Sequence, residues 1–370
     1  MHELANEFES RLAAAADDRA RLAVLVEKAD FLAGAFRPRE GLQVVREALT
    51  LGRALGDGIS RARALSAATL CHYHRGDFAS AVATGLDAVA AFPDAELTGT
   101  SRAWRGIALA LAAVEDFGAA QAAAERALRL AVDSGDAACE ASARAVLGIA
   151  FSGEQRFDDA RRQLRAAAGA YRRIADRLHV KKMASNIGHV HCREADVRER
   201  QGRGEAARRG RRHALRLFRA ALALGTSDAD DAIILGRLGE CEHRLGRFGA
   251  AREHLARSLA LAEAVGSARI LASVLLWWGF ALDAAGDPQD ALSAWERASR
   301  HAERVEDHEV LALCLEATAG LEARLGRAQS AQELADRARQ VDAERRERIA
   351  RLRLQVRPLW DRAWTRAPSP

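Results

Sequence analysis

One spacing recurs along most of the chain and restricts its fold more than any other feature of the sequence. A small residue is followed seven residues later by a turn signal, often Gly. An aromatic residue comes two positions after the turn signal, and an alanine three positions after that. Five segments follow this pattern most closely: 68–88, 107–127, 147–167, 238–258 and 278–298. Such internal repetition is typical of architectures in which each unit buries its apolar face only by stacking on its neighbours.

The small residue that ends each pattern recurs about every 40 residues. These positions are Gly41, Ala81, Ala120, Ala160, Ala207, Ala251, Ala291 and Ala331. The spacing accommodates two helices and a turn, so we expect about eight helix pairs covering roughly residues 19–345.

The composition agrees with an all-α fold. The chain of 370 residues is 49% apolar but only 5% aromatic, and much of its apolar content is alanine, which has the best helix propensity. No run of β-branched and aromatic residues alternates with a period of two, so the sequence predicts no strand.

The pattern resembles the tetratricopeptide repeat, a helix–turn–helix unit in which small residues let two helices pack closely. Gly148 and Gly239 occupy its small-residue position, Phe157 and Phe248 its aromatic wedge, and Trp104 its tryptophan site. The period here is longer than the roughly 34 residues of the commonest form. The resemblance implies a right-handed α-solenoid of about eight helix pairs, with the solenoid as one domain over 19–345.

Both ends of the chain read as helices outside the repeats. Residues 1–18 are amphipathic and predict an N-terminal capping helix. Residues 346–370 predict a C-terminal helix and tail, in which Pro358 is expected to disturb the helix. The helix carries an apolar stripe formed by Ile349, Leu352, Val356 and Leu359. This stripe either caps the last repeat or pairs with a second chain as a homodimer.

The period is broken once. Ala160 and Ala207 are 47 residues apart, seven more than usual. Seven residues correspond to about two helical turns, so the apolar face stays in phase. We therefore expect an extended helix hairpin near 181–219.

The histidines and glycines of this hairpin do not indicate a cofactor. His189 and Cys192 share a helix face with Asp196, but they do not supply four ligands at zinc spacing. Gly202 and Gly204 match part of the glycine-rich dinucleotide-binding motif, but a predicted helix rather than a strand precedes them. We expect no metal, no cofactor and, since no catalytic constellation is present, no enzymatic activity.

The second helix of this hairpin is strongly basic. Positions 196–219 contain nine arginines and three acidic residues. Their local charge is +6, in a chain whose net charge is +5. Four of the arginines recur at helical spacing as a basic patch: Arg208, Arg212, Arg216 and Arg219. Such a stripe attracts polyanions, so a nucleic-acid-associated regulator is the alternative function.

The resemblance also implies a binding groove, lined by the first helix of each pair. The groove candidates at the family's lining positions are Arg63, Tyr73, Arg102, Arg105, Lys182, His189, Glu240, His243, Phe280 and Asp283. No repeat has the Lys and Asn pair with which the chaperone-binding members hold a peptide carboxylate. The mixture of basic and apolar side chains favours a protein or peptide partner.

The function class that fits best is a non-enzymatic peptide-binding scaffold or regulator. The inter-repeat loops LGRALGDG and LAEAVGS resemble those of bacterial signalling arrays, and the Arg and Ala bias is typical of a GC-rich bacterial genome. A sensor module related to those that precede diguanylate cyclase domains is a further alternative. Five scattered cysteines and the absence of a leader or of about 20 consecutive apolar residues favour a cytoplasmic protein and no membrane contact.

Overall fold

The computed structural model describes residues 2–35, 37–225 and 228–364, and within these ranges the chain forms helices and no strands. The first nine helices are α1 (His2–Ala13), α2 (Asp18–Gly34), α3 (Pro38–Ala54), α4 (Gly58–His74), α5 (Phe78–Ala91), α6 (Leu97–Ala113), α7 (Phe117–Asp133), α8 (Ala137–Gly153) and α9 (Phe157–Arg173). The others are α10 (Arg177–Arg200), α11 (Gly204–Leu222), α12 (Asp228–Arg244), α13 (Phe248–Val265), α14 (Ala268–Ala285), α15 (Pro288–Arg304), α16 (His308–Arg324) and α17 (Ala328–Trp364). The prediction of an all-α fold is confirmed.

The helices from α2 onward form eight consecutive pairs, beginning with α2–α3 and ending with α16–α17, and the members of seven of these pairs pack closely on one another. The chain divides into two compact units. Unit 1 comprises Met1–Ile174 and Ile349–Pro370, and unit 2 comprises Ala175–Arg348.

Close packing within a pair depends on the predicted small residues. A Cβ atom on Gly148 would lie 2.7 Å from Cγ of Leu164, and one on Gly279 would lie 2.3 Å from Nε1 of Trp295. These distances are shorter than real Cβ contacts, so only glycine permits the observed approach. Burial of the neighbouring helix then stabilises the pair.

The turns between paired helices repeat as well. Gly246 adopts a φ of +76°, in the left-handed region that glycine enters without strain. In two of these turns an aspartate caps the second helix: the side chains of Asp77 and Asp116 accept hydrogen bonds from the amides of Ser80 and Ala119.

The aromatic position after the turn is less uniform than the resemblance implies. Phe157 is buried, as a wedge between helices should be, whereas Phe248 is 46% exposed. Phe248 instead lies against the ring of His243, with centroids 5.2 Å apart. The prediction of a buried wedge is therefore wrong at Phe248, because its ring turns toward α12 at the edge of the pair.

The extension of the anomalous hairpin is present. Helix α10 has 24 residues, whereas most of the other first helices have 17. Arg211 of α11 is buried. It joins α11 to the added turns of α10 through ion pairs with Asp196 (2.8 Å) and Glu199 (2.5 Å).

The N-terminal helix packs on the first pair. The rings of Phe8 in α1 and Phe31 in α2 lie 5.4 Å apart, and Nζ of Lys28 donates to Glu9 at 2.6 Å. These contacts agree with the predicted capping role.

The last helix, α17, does not end or bend away at Pro358. It continues to Trp364, because its far end is held on unit 1. Trp360 is buried there edge-on to Trp104, with ring centroids 6.2 Å apart, and Arg357 pairs with Asp116 at 2.9 Å. These contacts offset the backbone hydrogen bond that proline cannot make, so the prediction of a disturbed helix is wrong.

The apolar stripe of α17 is only partly available to a second chain. Val356 is 1% exposed within unit 1, and Val341, further toward the N-terminus, joins the core of unit 2. Leu354, outside the stripe, is 74% exposed. A homodimer through this helix stays a prediction.

Candidate binding surfaces

The first helices of the pairs form the inner side of each unit. In unit 1, α2 packs on α4, α4 on α6 and α6 on α8; in unit 2, α10, α12, α14 and α16 follow one another in the same way. Within the described chain the second helices show no comparable packing between successive pairs. Each inner side is therefore lined by the helices that the sequence assigns to the groove.

On unit 1, two of the predicted groove arginines have acidic partners. Nη2 of Arg63 lies 2.9 Å from Glu96, and Nη1 of Arg102 lies 3.7 Å from Asp30 of α2. Burial raises the pKa of Asp30 above its ordinary value, although Arg102 and its neighbours oppose the shift.

Arg105 differs from these two arginines. It lies half-buried one turn after Arg102 on α6 and makes no hydrogen bond or ion pair with any described residue. Its Nε atom is shut off from solvent without a partner. Burial lowers the pKa of the guanidinium, and the positive charge of Arg102 adds to the shift.

His74, which also lies near Arg105, carries no positive charge at neutral pH. Burial, followed by the charge of Arg105, lowers the pKa of His74 to about 4. The predicted groove residue Tyr73 lies beside it, with its ring 6.1 Å from that of Phe78.

On unit 2, the inner side joins α10 to α12 through an arginine that the sequence analysis did not select. Nη1 of Arg237 donates to Oγ of Ser185 at 2.8 Å. His189, one turn after Ser185, is exposed on this side. Desolvation by the neighbouring helices, then the charges of Arg237 and Arg193, lower the pKa of His189 to about 3.

Acidic groups balance the cations on this side. Glu240 lies 3.3 Å from Arg244, which in turn lies 3.1 Å from Asp196 at the extended end of α10. Burial raises the pKa of Glu240, and the pairing with Arg244 opposes that rise. The predicted residue Lys182 lies 4.0 Å from Asp230.

An aromatic cluster continues the inner side of unit 2 toward α14. The ring of His243 lies 6.0 Å from Trp277 and 5.7 Å from Phe280, and Arg244 lies over Trp277 at 4.9 Å. All three rings are partly exposed. Asp283, the last predicted groove residue, pairs with Arg324 of α16 at 2.5 Å.

The predicted basic patch on α11 splits into two parts. Arg219 pairs with the buried Glu242 at 2.8 Å and is thereby tied to α12. Arg208, Arg212 and Arg216 are exposed, and the nearest acidic partner of Arg212 is 3.8 Å away.

The structure thus gathers the ten groove candidates on two inner sides: four on unit 1 and six on unit 2. Sequence reasoning missed several charged groups that take part there: Asp30, Asp196, Arg237 and Arg244. Arg237 stands one residue after the family's lining position, so its place became apparent only from the bond to Ser185.

The described residues contain no group of three or more potential metal ligands. Cys192 and Cys241 lie side by side with their Sγ atoms 3.0 Å apart, and all five cysteines are buried.

One described helix, α14, is long and apolar enough to cross a membrane by composition. Its Leu275 and Leu276 lie in the core of unit 2 with Trp295 of α15. The apolar character of α14 is thus used in packing.

Comparison with known proteins identifies the repeat. Residues 186–264 match the family model described as tetratricopeptide repeat, which covers α11, α12 and most of α10 and α13. No curated protein matches the chain in sequence.

Solved structures share the fold at low identity. A Rap protein complexed with competence and sporulation factor is 14% identical at a TM-score of 0.56, covering 90% of this chain and 99% of that one. The Rap conjugation gene regulator of plasmid pLS20, complexed with the Phr* peptide, is 14% identical at a TM-score of 0.57, covering 90% and 97%. Aspartyl phosphate phosphatase F from Bacillus subtilis is 11% identical at a TM-score of 0.55, covering 87% and 94%.

Proposed function

We propose that this chain, a tetratricopeptide-repeat protein, is a non-enzymatic regulator that binds a peptide segment on the inner side of unit 2. The observation that carries the proposal is the row of Ser185–Arg237, His189 and Glu240–Arg244 on α10 and α12. Ser185 is buried, whereas His189, Arg237, Glu240 and Arg244 keep surface that a ligand can reach.

The chemistry of this surface fits an extended peptide. Arg237 and Glu240 offer donors and acceptors to main-chain amides, and the aromatic cluster of His243, Trp277 and Phe280 offers a place for an apolar side chain. Because both charge signs are present, we expect the peptide to be mixed in composition rather than uniformly acidic or basic.

Two of the similar structures support this reading. The Rap protein was solved with competence and sporulation factor, and the plasmid regulator with the Phr* peptide. Signalling in bacteria and a cytoplasmic location belong to the same proposal. Another of these structures is named a phosphatase. We therefore include the absence of enzymatic activity in the proposal.

The test begins with a display library of random linear peptides selected on the full chain. Peptides that are enriched are synthesised, and their affinities are measured by isothermal titration calorimetry. We expect Arg237→Gln to weaken binding about tenfold or more, since a hydrogen bond to a charged group contributes roughly 1.5–3 kcal/mol.

Arg257→Gln is the matched control, because Arg257 is an exposed arginine on the second helix α13. Circular dichroism shows whether each variant is folded. If no peptide is enriched, or if enriched peptides bind Arg237→Gln and Trp277→Ala as well as the original chain, the proposal is wrong.

A second candidate function is nucleic-acid association through Arg208, Arg212 and Arg216, which form an exposed row on α11. It predicts binding of a labelled DNA oligonucleotide with a log–log salt slope of about −0.7 to −0.9 per phosphate neutralised. Changing all three arginines to Glu should abolish that binding. Binding that is absent, or insensitive to salt, would exclude this function.

A further inference from the structure

The inner side of unit 1 contains a cation whose presence the fold does not explain. Arg63 and Arg102 each have a carboxylate partner, whereas Arg105 has no partner among the described residues. A guanidinium removed from bulk water without a partner is unfavourable. The position on α6 would therefore be filled more favourably by an uncharged residue, unless Arg105 meets a partner from outside the chain.

The groups around Arg105 do not substitute for such a partner. Asp30 is within electrostatic range but faces Arg102, with 3.7 Å between them. His74 is neutral at physiological pH, and the buried Tyr171 is also within range. Arg102 and Arg105 stand three residues apart on α6, so their guanidinium groups lie on one face of the helix.

We propose that the inner side of unit 1 is a second binding site, which holds the carboxylate group of a ligand on Arg105 with help from Arg102. The planar guanidinium fork matches a planar carboxylate by two parallel hydrogen bonds. The carboxylate of Asp30 remains within electrostatic range, and it repels a doubly charged phosphate more strongly than a singly charged carboxylate.

The surroundings also indicate the body of the ligand. Leu109 follows Arg105 by one helical turn on the same face of α6 and is partly exposed. Leu70 of α4 and Ile149 of α8 hold the same position in helices of equal length, and Ile149 is 44% exposed. A carboxylate attached to an apolar chain therefore fits better than a compact, highly polar acid.

Two sources share this chemistry: a free aliphatic acid and the C-terminal carboxylate of a peptide that ends in an apolar residue. Sodium hexanoate represents the first source, and acetyl-alanyl-leucine with a free carboxylate represents the second. Hexanamide and acetyl-alanyl-leucine amide are the matched uncharged probes. Inorganic phosphate tests the competing anion.

The experiment follows the Nε–H resonances of arginine in the full, isotope-labelled chain during titration with each probe at constant ionic strength. The resonance of Arg105 is assigned by its loss in Arg105→Gln. We expect it to shift with hexanoate or with the free-acid dipeptide, or with both, and not with either amide. Which of the two acids binds more tightly identifies the source.

Variants separate the site from a general charge effect. Arg105→Gln should weaken binding of the carboxylate probes about tenfold or more, and Arg105→Lys should weaken it less, because Lys keeps the charge but loses the fork. Arg129→Gln, which changes an exposed arginine on α7, should have no effect. Circular dichroism confirms that each variant is folded.

Three results would overturn the proposal. These are an Arg105 resonance that neither acid moves, an amide that binds as well as its acid, and tighter binding of phosphate than of either carboxylate. Arg237→Gln, on unit 2, should leave the carboxylate titration unchanged. The proposed carboxylate site on unit 1 and the proposed peptide site on unit 2 are therefore tested independently.

Discussion

The inner sides of the two units are built from the same repeat, but they differ in whether their arginines have partners. On unit 2, Arg237 bonds Ser185, and Arg244 pairs with Asp196 and Glu240. On unit 1, Arg105 stands at a lining position of the repeat with no partner in the described chain. Apart from the extended helix α10, the first helices around these residues all have 17 residues, so beyond that extension the contrast lies in the side chains.

The difference shows how to separate structural cations from cations available to a ligand. A cation whose partners lie on a neighbouring helix fixes those helices, and its removal leaves the partners unpaired. A half-buried cation without partners does not join helices in this way. It forms an ion pair only when an anion from outside the chain binds.

The largest expected effect is at the extended hairpin of unit 2. Arg211→Gln removes the buried guanidinium that joins Asp196 and Glu199, whose side chains are 30% and 52% exposed. Breaking a buried pair costs about 3–5 kcal/mol, but these carboxylates can hydrate, so we expect a loss of about 2–3 kcal/mol in the free energy of unfolding. Urea denaturation measures the change.

The control for this variant is Arg209→Gln on the same helix, since the side chain of Arg209 is 66% exposed and lies 3.8 Å from its nearest acidic group. It should change stability by no more than about 0.5 kcal/mol. Equal effects of the two variants would show that Arg211 is not a structural cation, and the contrast between the units would lose its basis.

The next effect tests whether the architecture is indeed common to both units. Gly148→Ala in unit 1 and Gly239→Ala in unit 2 would each place a Cβ atom against a leucine, 2.7 Å and 2.4 Å from its Cγ. Each should destabilise the chain by about 1–3 kcal/mol through overpacking, measured by the same denaturation.

Gly169 and Gly320 serve as controls, one in each unit, because a Cβ atom there meets nothing within 4 Å. Replacing either by Ala should stabilise its helix by up to about 1 kcal/mol. If the first pair of glycine variants differed strongly from each other, the two units would differ in packing as well as in charge.

The sequence was sufficient to predict the features that depend on short spacings. The small residues Gly148 and Gly279, the eight helix pairs and the added two turns of α10 all follow from positions within one repeat. These features depend on local sterics and helix periodicity, which a single sequence records directly.

The features that the sequence did not predict depend on pairing between distant helices. Arg211 was read only as part of a basic segment, but it is buried by partners 12 and 15 residues away. Arg237 meets Ser185 across 52 residues, and the far end of α17 reaches residues more than 200 positions earlier. Which charge meets which partner is decided by how the helices stack, and the spacing within a repeat does not encode it.

A smaller effect has opposite signs in the two units. Arg105→Gln removes a partly buried charge without partners, and should raise stability by about 1 kcal/mol. Arg237→Gln removes a donor to Ser185, and should lower stability by about 1 kcal/mol. For units of this size the midpoints of thermal unfolding should move by about 2–4 °C in opposite directions, measured by calorimetry without added carboxylate. Destabilisation by both variants would mean that Arg105 has a structural role.

The smallest effect concerns the two histidines beside these arginines. Burial, then the charge of Arg105, lowers the pKa of His74 to about 4. Desolvation by the neighbouring helices, then the charges of Arg237 and Arg193, lowers the pKa of the exposed His189 to about 3. Each histidine therefore contributes stability that is present above its unfolded pKa of about 6.5 and is lost as pH falls toward its folded pKa.

Arg105→Gln should raise the pKa of His74 part of the way toward 6.5 and leave His189 unchanged, because Arg105 does not act on His189. Arg237→Gln should do the reverse. NMR titration of the histidine ring protons measures both values. If either variant moved both histidines, or neither, the charges of the two inner sides would not act locally, and the unpaired state of Arg105 could not be read as a property of unit 1 alone.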